Sequence, residues 1–162
     1  MRRFLCTAAV LLFPLTAMAG AQGGCDQAAF AAVVAEAGAA LSAMNGENKK
    51  SFQDRLQLLR SRENWSDADY LAKATPFVKD GSIAAFDDGN KTLLAKVQAL
   101  GAAPVAAGIA PLPSPDGRHC AMLDELRGLV AQVVENTRAK WGYMLGKVDA
   151  AMEASRQAKA AQ

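Results

Sequence analysis

From Asp26 onward, apolar residues recur every three or four positions. Phe30, Val33, Val34, Ala37, Leu41 and Met44 share one face of a helix that Asp26 caps and Asn45-Gly46 closes. A second helix is predicted from about Glu47 to Arg62, with Phe52, Leu56 and Leu59 as its apolar positions in an otherwise charged stretch. Ser66-Asp67-Ala68-Asp69 starts a third, with acids at the positive end of the helix dipole. Trp65 precedes that cap, where it can staple onto Tyr70 or Leu71. Pro76 ends or kinks the helix, and Asp80-Gly81 turns the chain. Ser82 is the expected cap of a fourth helix, closed by Gly101. Ile83, Phe86, Leu93, Leu94, Val97 and Leu100 hold phase across Asp87-Asp88-Gly89-Asn90, which favours one helix with a weak point over two.

Residues 101–118 carry four of the six prolines and read as a Gly/Ala/Pro linker. Its Val105, Ile109 and Leu112 suggest that it lies against the helices. The longest periodic run extends from Cys120 to about Ala158. Leu123, Leu126, Val130, Val133, Thr137, Trp141, Met144, Val148 and Met152 form its stripe. Gly128, Gly142 and Gly146 interrupt that helix and are expected to mark close crossings. Alternating β-branched runs are missing, so the expected fold is all-α: a small bundle of four to five helices with a long C-terminal helix as its spine.

The first residues carry a different pattern. A basic Met1-Arg2-Arg3, an apolar run from Phe4 to Leu15, and Ala17-Met18-Ala19 together read as a cleaved export signal over residues 1–19. The new N-terminus falls at Gly20 or Gln22. No later segment is expected to span a membrane, which takes about 20 apolar residues. Cleavage changes the charge balance. The precursor has 18 Lys and Arg against 16 Asp and Glu, and losing Arg2 and Arg3 leaves 16 of each. A neutral chain with interspersed signs has no electrostatic footprint for nucleic acid or for an anionic membrane. The remaining chain of about 140 residues suits a single domain, 20–162.

Export also reframes the cysteines. Cys6 leaves with the signal, and Cys25 and Cys120 remain. Two thiols in an oxidising compartment predict one disulfide, tying together the starts of two helices. The alternative for Cys25 is a lipid anchor, since Gly23-Gly24-Cys25 resembles a bacterial lipoprotein signal. Gln22 departs from that pattern, which favours an aliphatic residue there.

Little else carries chemistry. His119, the sole histidine, adjoins Cys120, and Met122 lies three residues on; a soft metal site or Cys/His catalysis is set against an oxidised Cys120 and an exposed His119. Glu36, in an Ala-rich helix, is the best candidate acid, and a solvated flank is the plainer reading. Asp87–Asn90 lacks the twelve-residue spacing of an EF-hand. No catalytic residue, cofactor or metal is therefore expected. Arg60, Arg62, Trp65 and Tyr70 gather binding-prone residue types at one inter-helix corner and form the candidate interaction surface, set against a Trp that plugs the bundle end.

These observations point to an exported, periplasmic or secreted, non-enzymatic helical protein. It is expected to act through contact with a protein partner, as an accessory or chaperone-like factor. The alternatives are a helical module for a small apolar ligand and an enzyme with an unrecognised site.

Overall fold

The computed structural model describes residues 25–106 and 117–161, with the side chains of 102–106 left aside. The expected signal, its two cleavage points and most of the Pro-rich linker lie outside these residues. Four helices and no strands are present among the described residues: α1 (Gln27–Arg62), α2 (Asp67–Val78), α3 (Gly81–Ala106) and α4 (Gly117–Ala160).

The 44 residues of α4 span about 66 Å at 1.5 Å per residue. The other helices pack on it. Asn45, Arg55 and Glu63 meet Trp141, Asp149 and Ser155, so α1 runs parallel to α4. Asp80, Asp87 and Asn90 meet Lys147, Lys140 and Thr137, so α3 runs antiparallel. Helix α2 begins the return arm and α3 continues it. The chain thus goes up, down and up, with the descending arm broken once.

The breaks follow local chemistry. Asp26 caps α1, its Oδ1 accepting from the Ala29 N–H at 2.9 Å. Asn64, at φ 51, turns the chain in the left-handed region that asparagine tolerates. Ser66 Oγ then accepts from the Asp69 N–H at 3.2 Å and starts α2. Pro76 lies inside α2, which stops at Val78. The cap of α3 is Asp80 and not Ser82: the Ile83 N–H donates to Asp80 Oδ1 at 2.8 Å.

Two expected ends do not occur. Helix α1 runs through Asn45-Gly46 as one element. Asn45 is engaged sideways, accepting from Trp141 Nε1 at 2.8 Å, and Asn48 Nδ2 bonds back to the Met44 carbonyl at 2.8 Å. Packing along α4 offsets the roughly 1 kcal/mol that a mid-helix glycine costs. Helix α3 likewise passes Gly101 and ends at Ala106. It does cross Asp87–Asn90 unbroken, as its apolar phase implies.

The cluster to which all four helices contribute lies at the end of the bundle remote from the disulfide. Phe52, Leu56 and Leu59 of α1, Ala74 of α2, Ile83 of α3, and Met144 and Val148 of α4 form one buried cluster. Trp141 is half-buried at its edge, 6.4 Å from the Phe52 ring, and not in the core as its place in the stripe implies. Trp141→Ala should therefore cost less than truncating Phe52. Towards the disulfide, Leu123, Leu126, Leu129 and Val133 of α4 are buried, while α1 contributes no buried residue before Phe52.

A polar layer separates the two ends. Asn136 Nδ2 donates to the Phe86 carbonyl at 2.7 Å and to Asn90 Oδ1 at 2.9 Å. Asn90 Nδ2 donates to Thr137 Oγ1 at 3.1 Å. The close approach here belongs to Gly89, whose added Cβ would lie 3.3 Å from Asn136 Nδ2. Gly128, Gly142 and Gly146 have nothing within 4 Å, so they do not mark crossings. Gly146→Ala should then stabilise the protein by about 0.5–1 kcal/mol. Gly89→Ala should lower the melting temperature, because it displaces a hydrogen-bonded Asn136. Thermal melts of the two variants check both signs.

Candidate functional site

The corner at residues 60–77 brings Arg60, Trp65 and Tyr70 together. The Arg60 guanidinium stacks 5.0 Å over the Tyr70 ring, its Nε donates to the Trp65 carbonyl at 3.4 Å, and it pairs with Asp67. Trp65 stacks on Phe77 at 6.4 Å and meets Tyr70 at 6.4 Å, the staple that its position suggests. Leu71, the other possible staple, is 76 % exposed. Arg62 stands apart with an exposed side chain, while its carbonyl accepts from Lys159. Arg60, Trp65 and Tyr70 thus engage one another and seal the end of the bundle.

A second polar cluster fixes the α2–α3 junction. Asp80 accepts from Lys147 and, at 2.9 Å, from the Tyr143 hydroxyl, while Lys147 also donates to the Pro76 carbonyl. The Lys147 hydrogen bond, then the Ile83 N–H and Tyr143, hold the Asp80 carboxyl down from 3.8 to about 2. A carboxyl lowered by folding stabilises fully above its unfolded value. Asp80 should therefore support the fold above about pH 4 and lose that contribution as pH falls towards 2. Asp80→Asn should be less stable at neutral pH, and its gap to the parent should close over this range. A gap that stays constant in denaturation curves down to pH 2 would contradict the assignment.

At the opposite end, Cys25 and Cys120 form a disulfide with a Cα–Cα distance of 4.9 Å, within normal bridging range. It joins the N-termini of two parallel helices, as their positions imply. His119 is 2 % exposed, and so differs from the exposed helix-start residue expected. The difference is physical: α4 begins at Gly117, so His119 already lies on its inner face, in phase with Leu123 and Leu126. No group of three His, Cys, Asp or Glu side chains converges among the described residues.

The remaining feature is the first half of α1. After Gln27, residues 28–44 are apolar or small apart from Glu36, the single charge. The helix is long and apolar enough to cross a membrane by length and composition, contrary to expectation, yet none of its apolar window is buried. Val34 is 52 % exposed. A helix that is apolar all round normally lies inside a protein or a membrane.

Grooves flank this stretch. On one side, Phe30 and Val34 of α1, Val97 and Leu100 of α3 and Leu126 of α4 line an open, almost wholly apolar cleft of about 570 Å³. On the other, Val33, Ala37 and Ala40 of α1 face Val130, Ala131 and Val134 of α4 across a groove of about 380 Å³. Glu36, Arg127 and Glu135 edge that second groove. Arg127 pairs with Asp124 and Glu135 with Arg138, whereas Glu36 has neither an ion pair nor a hydrogen bond among the described residues. Of the stripe read from periodicity, Phe30, Val33, Ala37, Leu41 and Met44 are half-buried, while Val34 is exposed and none is fully covered. The signal of that thin cover was the near-absence of polar residues on the opposite face of the same 18 positions.

The class defined here is a disulfide-closed array of long helices around a central α4, with an uncovered apolar end. Comparison with family models, with curated proteins and with solved structures returned no match.

Proposed function

We propose that the chain is an exported, non-enzymatic helical protein that acts by contact with another protein in the periplasm, through the apolar half of α1. The observation that carries this reading is the unburied apolar stretch at 27–44. Exposed apolar patches of this extent are uncommon on monomers and mark contact sites. The disulfide and the apolar run from Phe4 to Leu15 support export. Among the charged side chains, the most strongly shifted carboxyl, Asp80, is committed to holding a helix junction, which favours a role other than catalysis.

A second reading draws on the cleft between α1, α3 and α4, whose lining suits a small apolar ligand. Ligand sites are mostly enclosed and carry a few convergent polar groups. This cleft is open, and Gln27 is the sole polar residue along it, which favours a protein partner.

Site-specific photo-crosslinking tests the proposal. A photoreactive residue at Val34 in the exported chain should give a discrete adduct with another protein. The same residue at Gln53, exposed on the charged half of α1, should give none. Adducts from both positions, or from neither, would count against it.

A further inference from the structure

We infer that the partner presents an apolar helix with a basic residue near its middle, which lies in the α1–α4 groove and pairs with Glu36. This inference rests on the contact reading above and adds the chemistry of the partner. The groove has the form that receives a helix. Val33, Ala37 and Ala40 are spaced i, i+4 and i+7 along one wall, and Val130 and Val134 stand along the other. Small side chains at 37, 40 and 131 let another backbone approach closely.

Charge selects among the possible occupants. Glu36 lies halfway along residues 27–44 and is the only ionic group there. An isologous second copy packed about the middle of this stretch would set Glu36 against Glu36, a like-charge contact in an apolar setting. A lipid surface is disfavoured for a related reason. Helices that lie on membranes carry Lys or Arg on their polar face, and this half of α1 has none. The neighbouring Arg127 and Glu135 are already paired along α4, so the unanswered charge is a single carboxylate. A lysine or arginine from the partner completes it.

Two helical peptides serve as probes. Both are 18 residues long, with leucines at i, i+4 and i+7, and they differ only in a central Lys or Glu. Titrated into the full exported chain, the Lys peptide should bind at least tenfold tighter than the Glu peptide, and Glu36→Lys should reverse the order. Ala40→Gln, which fills the groove without adding charge, should weaken both peptides while circular dichroism stays unchanged. Equal binding of both peptides, unaffected by Glu36→Lys but lost in Ala40→Gln, would overturn the role of Glu36 and leave the contact face standing. Binding of neither peptide, or binding to neutral phosphatidylcholine vesicles in preference to both, would overturn the contact reading together with it.

Discussion

Phe52→Ala is expected to destabilise the folded chain by about 3–5 kcal/mol. Val34→Ala, eighteen positions earlier on the same helix, should change stability by no more than about 0.5 kcal/mol. The contrast follows from where α1 is covered. Phe52 is buried with Leu56, Leu59, Met144 and Val148, and its ring meets Trp141. Its removal leaves a cavity among side chains drawn from α1, α2, α3 and α4, which cannot all collapse into it. Val34 is half in solvent and loses little area on truncation. Urea denaturation of the two variants measures both effects. Similar losses would mean that the first half of α1 is as well packed as the second.

Reduction of Cys25–Cys120 is the other large effect. The bridge joins residues 95 apart in sequence, and in the chain-entropy account a loop of that size contributes about 4–5 kcal/mol. Removing a native disulfide from a small exported domain costs about 2–5 kcal/mol in general. The loss should not be uniform. Near the bridge, α1 fully buries nothing before Phe52, so packing is thinner there and the covalent link carries more of the stability. Hydrogen exchange after reduction should accelerate first at residues 27–44 and last around Leu56 and Leu59. An unfolding midpoint that is unchanged by reductant would show that the bridge adds nothing to the fold.

Much of this architecture was legible from local patterns. Periodicity located the helices, Asp26 and Ser66 act as the caps their types suggest, and Cys25 and Cys120 meet. The departures arise where distant contacts decide. Asn45-Gly46 reads as a helix end, but Trp141, 96 positions away, takes up the asparagine side chain. Asp80 and Ser82 are both good caps two residues apart. The choice falls to Asp80 because Lys147 and Tyr143 on α4 bind its other oxygen. Leu129 and Val130 fit the α4 stripe equally by spacing, and only the packing on both sides of α4 buries Leu129. The site was less legible than the fold. Arg60, Trp65 and Tyr70 have the composition of a contact surface, yet their groups are engaged with one another. Residues 27–44 have the composition of a core, yet none of them is fully buried and Val34 is exposed.

That thinly covered stretch is the centre of this account, and carbene footprinting tests it most directly. The label is applied to the purified protein and to the same protein in its native compartment. The account predicts heavy labelling at Val34 and Ala35 in the purified protein, comparable with exposed Leu71 and far above Phe52 and Leu59. It predicts protection at the same two positions in the native compartment, with Leu71 unchanged. Equal labelling of Val34 and Ala35 in both settings would contradict it.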